Sequence, residues 1–164
     1  MSHAQPDEIL TILARDARTP PEKIATMTGR TVAEVTAAIA DYEAREVIKC
    51  YRTTIDWEKA GETRIFAFVD VKVLPAKSVG FNAVAEIIYR FPEVISVWLI
   101  SGQSDLRIVV EGDNIHTIGR FVAEKLSTID GVTGTDTHFV MRRYKEDHIL
   151  FADQDDDARL VFSP

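Results

Sequence analysis

The stretch RTVAEVTAAIADYEAREVIKCY, residues 30–51, decides how the N-terminal part of this chain folds. Thr31 is followed three residues later by Glu34, which is the spacing of a helix capping box. Apolar side chains then recur at helical intervals, at Val32, Val35, Ala38, Ile39 and Tyr42. This spacing predicts a helix that begins after Thr31 and buries one face.

Two shorter helices are predicted before this stretch. Residues 7–16 place their apolar side chains on one helical face. Thr19 can cap a second helix, and Pro20 or Pro21 suits its first turn. Gly29 is placed to end that helix. Three helices with a tight glycine turn between the second and the third predict a helix-turn-helix.

The segment after the third helix has the composition of an extended chain. VIKCYRTTID, residues 47–56, is rich in β-forming residues and predicts the wing of a winged helix-turn-helix over residues 1–52. Cys50 lies in this segment and is expected to be a small buried hydrophobic residue. As the single cysteine, it cannot form an internal disulfide or a cysteine metal site.

The rest of the chain alternates between strand and helix patterns. The predicted elements are a strand at 63–74, a helix at 79–91, strands at 94–101 and 106–112, a helix at 114–129 and a strand at 132–145. The order β-α-β-β-α-β is that of a ferredoxin-like antiparallel sheet with two helices on one face. The predicted fold class is therefore α+β. We expect domains at 1–52 and 63–146, a linker at 53–62 and an acidic tail at 147–164.

The predicted strands carry apolar residues on both faces, as Ile65 and Phe66 illustrate, and Trp98 and Leu99 likewise. The helices cover only one face of such a sheet. We therefore expect the open face to pack against a second subunit, which makes the chain a homo-oligomer.

The C-terminal tail carries an apolar triplet on each side of its acidic run. These triplets, residues 149–151 and 160–162, predict two short strands that dock on a neighbouring subunit. A disordered tail is the alternative.

Composition and charge narrow the class of protein. With 46% hydrophobic and 27% charged residues, the chain has the balance of a folded globular protein. No apolar run approaches the roughly 20 residues of a membrane helix, and the first ten residues lack a signal-peptide pattern, so we expect a cytoplasmic protein without membrane contact. Its four histidines show no ligand spacing, and neither a metal nor a cofactor is expected.

The net charge of −7 argues against a simple nucleic-acid binder. Its distribution weakens that argument, because residues 1–52 carry seven Lys or Arg against eight Asp or Glu. Much of the excess negative charge lies in residues 146–164. An oligomer can still collect its basic residues on one surface that binds DNA.

Four segments in a fixed order resemble the Lrp/AsnC family, also called feast/famine regulators. They are DEILTILARDART (7–19), IKCYRTTIDWEKAG (48–61), FPEVISVWLISGQSDLRIVVEG (91–112) and LSTIDGVTGTDTHFVMRRYK (126–145). The resemblance implies a helix-turn-helix joined to a RAM/ACT-like βαββαβ domain that dimerises through its sheet and assembles into tetramers or octamers. It further implies a DNA-binding transcriptional regulator, not an enzyme, that responds to a small effector, usually an amino acid.

By resemblance, the effector binds near the SGQSD turn at a subunit interface. The residues implied are Ser101, Gly102, Gln103, Ser104, Asp105, Thr135 and Thr137. Amides beside Gly102 can approach a carboxylate, while Asp105 can accept from an ammonium or hold the turn. A well-formed hairpin turn without a ligand is the alternative. Gln103 and Ser104 depart from the usual family residues, so leucine is not implied as the effector.

The third helix is the expected DNA-reading element. The residues expected to contact double-stranded DNA are Lys23, Arg30, Thr31, Glu34, Thr36 and Arg52. Ala38 stands where the family typically has an Arg, which removes one phosphate contact and predicts modest sequence specificity. Glu34 either accepts from a cytosine amino group or serves only as the capping partner of Thr31, and capping is the preferred interpretation.

Two alternative functions compete with a DNA-binding regulator. One is an effector-binding partner that joins hetero-oligomers and no longer binds DNA. The other is an enzyme, because some proteins of similar architecture decarboxylate sirohaem. The compact SGQSD turn and the lack of a clustered His/Arg set argue against an enzyme, although His138, Arg142 and Arg143 share one predicted strand.

Overall fold

The computed structural model describes residues 7–74 and 80–151. The chain divides into two compact units, Met1–Thr54 and Ile55–Pro164. In the described parts of the chain, no helix is long and apolar enough to cross a membrane.

The N-terminal unit is a three-helix bundle. Its helices are α1 (Glu8–Arg15), α2 (Pro21–Thr28) and α3 (Val32–Ala44). Ile9, Ile24 and Val35 contribute one fully buried side chain from each helix. Since the apolar residues of each helix recur at helical spacing, each helix turns one face to this small core.

Local signals set the helix ends largely as predicted. Gly29 ends α2 in the left-handed conformation, with φ of 68°. The capping box of Thr31 and Glu34 is present at the start of α3. Thr19, however, does not cap α2. Pro20 occupies the N-cap position, and the Thr19 hydroxyl instead donates to the carbonyl of Asp16 over 2.9 Å.

The segment predicted as the wing is not a paired strand within the described chain. The described chain has no strand between Ala44 and Ile65. Residues 47–54 are not paired with any strand in the described chain, and backbone without a partner strand cannot form a ladder. Cys50, in this segment, is exposed rather than buried.

The C-terminal unit has the predicted βαββαβ order. Its elements are β1 (Ile65–Val73), α4 (Phe81–Ile88), β2 (Val94–Leu99), β3 (Leu106–Gly112), α5 (Ile115–Glu124) and β4 (Val132–Phe139), with a 3₁₀ turn at Leu126–Thr128. The strands pair antiparallel in the order β2-β3-β1-β4, which is the ferredoxin-like arrangement. The strand predicted at 132–145 ends at Phe139, where its pairing with β1 stops at Ala67, and one further hydrogen bond joins the Val140 amide to the Phe66 carbonyl.

The two faces of the sheet differ in burial. On β1, Ala67, Val69 and Val71 are fully buried on the face covered by α4 and α5. Residues at the alternate positions, such as Phe68 and Lys72, lie on the open face.

A short hairpin follows the sheet. Its strands are β5 (Lys145–Glu146) and β6 (Ile149–Leu150), joined by Asp147 and His148. The guanidinium of Arg143 stacks 3.5 Å from the Phe151 ring centre and donates to Glu146 over 2.7 Å. The first predicted tail strand is thus part of this hairpin, while residues 160–162 lie outside the described residues.

Candidate functional sites

Strand register places a row of polar residues across the open face. Asp70 on β1 pairs with Arg107 on β3 and with Asp136 on β4, and Arg107 also pairs with Trp98 on β2. Directly paired residues of an antiparallel sheet point to the same side. Asp136, Asp70, Arg107 and Trp98 therefore form one row, which we call the charged row.

The centre of the charged row is a bidentate ion pair. Arg107 Nε lies 2.6 Å from Asp70 Oδ1, and Arg107 Nη2 lies 2.8 Å from Asp70 Oδ2. The hydrogen bond and the positive charge of Arg107 lower the pKa of Asp70, against the opposing effect of burial. Two parallel N–H···O bonds hold the arginine side chain flat along the sheet.

A polar cavity of about 820 Å³ opens beside the charged row. Residues 99–104 form one wall. The floor and the other wall come from Asp70, Lys72, Arg107, Gly134, Thr135 and Asp136. Leu99 and Ile100 are the large apolar residues of the lining, and the other lining residues are polar, charged or glycine. The cavity therefore suits a small polar or charged molecule.

Asp105 holds the turn that builds this wall. Its carboxylate accepts from the Val73 amide over 2.8 Å, and its own amide donates to the Val71 carbonyl over 3.1 Å. Its carbonyl accepts from the Ile100 amide over 2.8 Å. Gly102 in the turn has φ of 153°, which L side chains rarely adopt. Of the two roles considered for Asp105, the geometry provides the one that holds the turn.

The structure brings together only part of the predicted effector site. Ser101, Gly102, Gln103, Ser104 and Thr135 line the cavity, whereas Asp105 and Thr137 do not. Thr135 and Thr137 pair with the fully buried Val71 and Val69, so both lie on the helix-covered face of the sheet, and of the two only Thr135, next to Gly134, reaches the cavity.

Sequence reasoning missed four charged residues of the cavity, namely Asp70, Lys72, Arg107 and Asp136. The alternation of polar and apolar residues along Asp70–Val73 was a usable signal for the first two. It shows two charged side chains on one face of a strand.

The predicted DNA-contacting residues all lie at the surface of the N-terminal unit. Lys23, Arg30, Thr31, Glu34, Thr36 and Arg52 are all exposed. Glu34 accepts from the backbone amide and the hydroxyl of Thr31, each over 2.8 Å. These hydrogen bonds, the backbone one first, lower the pKa of Glu34. The Thr36 hydroxyl donates to the Val32 carbonyl over 2.9 Å.

Arg30 is held by a network of side chains rather than projecting freely. Its guanidinium lies 3.0 Å from Asp7, which also accepts from the Tyr42 hydroxyl over 2.7 Å. The same carboxylate caps α1 by accepting from the Ile9 amide. Burial raises the pKa of Asp7, but the hydrogen bonds from Tyr42 and Arg30 outweigh it and the pKa lies below its usual value.

Positive charge is scarce on α3. Between Val32 and Ala44 the helix has no Lys or Arg. Arg45, just after it, pairs with Asp41 over 3.3 Å. Four cations of this unit make no hydrogen bond or ion pair with their side chains to any described residue, namely Arg15, Arg18, Lys23 and Arg52. Two of them, Lys23 and Arg52, are among the residues expected to contact DNA.

The described residues form a three-helix N-terminal unit and a ferredoxin-like domain that carries a polar cavity. Residues 66–150 match the family model described as Lrp/AsnC ligand binding domain, and the chain belongs to the Lrp/AsnC family. A curated relative, the uncharacterized HTH-type transcriptional regulator YugG of Bacillus subtilis, is 48% identical over 158 residues, which cover 96% of this chain and 95% of the relative. The chain is therefore a transcriptional regulator and not an enzyme.

Solved structures show the same fold. E. coli AsnC superposes with a TM-score of 0.67 at 20% identity, covering 84% of this chain and 91% of AsnC. The transcriptional regulator NMB0573 of Neisseria meningitidis, solved as a complex with L-Met, gives a TM-score of 0.71 at 19% identity, covering 85% and 89%.

Among the described residues, no group of three or more His, Cys, Asp or Glu side chains is arranged to hold a metal ion.

Proposed function

We propose that this regulator binds an amino acid effector in the cavity beside residues 99–104 and binds double-stranded DNA through its N-terminal unit. The observation that carries the effector assignment is the lining of the cavity, where charged side chains and a glycine turn surround a space of about 820 Å³. The likeness of the fold to NMB0573, whose structure is a complex with L-Met, supports an amino acid.

The open face of the sheet is the proposed subunit contact. Phe68 and Trp98 are 41% and 47% exposed on this face. Exposed aromatic side chains are costly to leave in water, and a second copy packed on them removes that cost. In this proposal the oligomer is either a dimer or a larger assembly of dimers, namely a tetramer or an octamer.

DNA contact rests on α3 and its surroundings. Thr31, Glu34 and Thr36 lie in the N-terminal part of α3, which is the part of a recognition helix nearest the bases. Arg30, Lys23 and Arg52 supply the charge for phosphate contacts. With Ala33 and Ala37 exposed on the same helix, base readout is limited to contacts such as a thymine methyl.

A thermal-shift screen against the twenty L-amino acids tests the effector assignment. We expect one or a few amino acids to raise the melting temperature, because a ligand that binds only the folded protein stabilises it. If none does so at millimolar concentration, the effector assignment is wrong.

An electrophoretic mobility shift with upstream DNA of its own gene tests DNA binding. We expect a shift that weakens steeply as salt rises, because phosphate contacts release counterions. The Lys23→Ala variant should bind more weakly to all sequences, whereas Lys49→Ala, which removes an exposed cation already paired with Glu46, should change binding less.

A specific observation favours a second candidate function, an oligomerisation partner that does not bind DNA. The helix α3 lacks Lys and Arg, and Arg30 is tied to Asp7. The two functions differ at low salt, where a DNA-binding regulator shifts DNA and a partner without DNA affinity does not.

A further inference from the structure

We propose that Lys72 and Asp136 are the ionic anchors that bind the carboxylate and the ammonium of the effector amino acid. This inference rests on the effector function proposed above and names the side chains that recognise the ligand. It assigns recognition of the α-amino acid head group to strands β1 and β4 rather than to the 99–104 turn.

The register brings the two side chains to one end of the open face. Lys72 pairs with Gly134, and Asp70 pairs with Asp136, so Lys72 and Asp136 are diagonal neighbours on adjacent strands. Both residues line the cavity. Diagonal neighbours in an antiparallel pair are on the order of 7–8 Å apart.

The charges of the cavity floor are unequally satisfied. Asp70 and Arg107 neutralise each other in their bidentate pair. The Lys72 ammonium makes no hydrogen bond or ion pair to any residue that the structure describes. Its stem lies over Gly134, where an added Cβ would be 3.8 Å from Lys72 Cδ. The cation is thus carried on a supported stem but has no counter-ion among the described residues.

Asp136 faces a like charge. It lies directly opposite Asp70 across the β1–β4 pair, where like charges repel. Arg107 weakens this repulsion by pairing with Asp70, but it makes no ion pair with Asp136. The contact of Asp136 with His138, at 3.4 Å, is a salt bridge only when the imidazole is protonated. A ligand ammonium beside Asp136 relieves this repulsion.

A zwitterionic α-amino acid matches both requirements at once. It carries a carboxylate and an ammonium on the same carbon, so one molecule can accept a charge-assisted hydrogen bond from Lys72 and donate another to Asp136. Its side chain then extends toward Leu99, Ile100 and Gln103 in the wall formed by residues 99–104. The strands recognise the head group, and the turn selects among side chains.

Isothermal titration of each of the twenty L-amino acids identifies the responding one. That amino acid is then compared with its carboxamide, which lacks the carboxylate, and with its α-hydroxy acid, which lacks the ammonium. Wild-type protein should bind both analogues about 10- to 100-fold more weakly.

Each variant should abolish discrimination against one of the two analogues. Lys72→Met should weaken binding of the amino acid about 10- to 100-fold and abolish discrimination against the carboxamide, while discrimination against the hydroxy acid remains. Asp136→Asn should weaken binding by a similar factor and abolish discrimination against the hydroxy acid, while discrimination against the carboxamide remains. Lys49→Met and Asp113→Asn, which remove exposed charges outside the cavity, should bind like wild type. Lys72→Gln provides a second variant if Lys72→Met does not fold.

Each other outcome overturns the inference in a recognisable way. If the wild type responds and both variants keep its affinity and analogue preferences, the anchors lie elsewhere and the effector function stands. If the variants keep affinity but lower the oligomer mass in light scattering, the two charges pair between subunits. If the wild type responds to none of the twenty amino acids, the effector function fails and the inference fails with it.

Discussion

At the scale of single residues, the carboxylate of Asp7 contacts three parts of the N-terminal unit. It caps α1, accepts from Tyr42 on α3 and pairs with Arg30 in the turn between α2 and α3. These contacts join α1 to α3 and to the turn before α3, in a bundle whose core is small.

We expect Asp7→Asn to reduce the stability of the N-terminal unit by about 1 kcal/mol at neutral pH, since one partner, Arg30, is partly exposed. The folded pKa of Asp7 lies below its unfolded value, so the ionised carboxylate stabilises the fold above roughly pH 4, and this is lost as pH falls through the folded pKa. Melting curves from pH 3 to 7 should show a flatter acid dependence in the variant. Asp113→Asn should leave the curve of the wild type unchanged.

Glu34 tests whether α3 reads bases or only caps itself. Glu34→Gln preserves an acceptor for the Thr31 amide and removes a negative charge, so it should strengthen binding to operator and random DNA alike. Fluorescence anisotropy with both DNAs measures this, with Glu8→Gln in the first turn of α1 as the control. Weaker operator binding with relaxed specificity at one base pair would instead show a base contact.

Gly112 lies where β3 meets α5. A Cβ there would be 2.9 Å from Ile118 Cγ1, and Ile118 is buried. We expect Gly112→Ala to cost about 1–3 kcal/mol in urea unfolding, because the core must shift to admit the methyl group. Gly119→Ala in α5 is the matched control. It has no atom within 4 Å of the added Cβ and should stabilise by about 0.5–1 kcal/mol. Equal effects of the two substitutions would contradict this packing.

At the scale of elements, the β5–β6 hairpin has an unfavourable turn. Asp147 and His148 both have positive φ, 45° and 68°, a conformation that Asn-Gly adopts readily and that costs other residues about 1 kcal/mol or more. The hairpin is held by neighbouring contacts, including the Arg143 stack on Phe151.

We expect His148→Gly to relieve this turn and stabilise the hairpin by about 0.5–1 kcal/mol. The amide of Phe151, which donates to the Tyr144 carbonyl over 3.0 Å, should then exchange its hydrogen severalfold more slowly. His116→Gly in α5 should lower overall stability without slowing this exchange. Faster exchange in His148→Gly would show that the turn residue is not the weak point.

At the scale of the whole molecule, one substitution tests the proposed assembly through the open sheet face. Trp98→Glu places a charge among the exposed aromatic residues of this face and should reduce the light-scattering mass to one chain at micromolar concentration. Tyr89→Glu is the control, because Tyr89 is 56% exposed after α4 on the helix side. The light-scattering mass of the Tyr89→Glu variant should stay at two chains or more. A wild-type protein that is already a monomer of about 18 kDa would overturn the proposed assembly.

The sequence by itself determined the features that depend on neighbours along the chain. The capping box at Thr31, the helix end at Gly29 and the βαββαβ order all follow from local spacing and turn residues, and the structure contains each of them. The residues of the Lrp/AsnC resemblance likewise lie in continuous segments, so the order of amino acids along the chain is enough to recognise the family.

Only the tertiary structure decided which side chains meet across the sheet. Asp70 and Arg107 are 37 residues apart, and the cavity joins residues from β1, β3, β4 and the 99–104 turn. Period-two alternation shows that a strand has two faces but not which one the helices cover, so it could not show that Lys72 lies beside Asp70 and Asp136 on the open face. The segment predicted as the wing has no paired strand in the described chain for a similar reason, since an extended segment becomes a strand only when pairing supplies a partner.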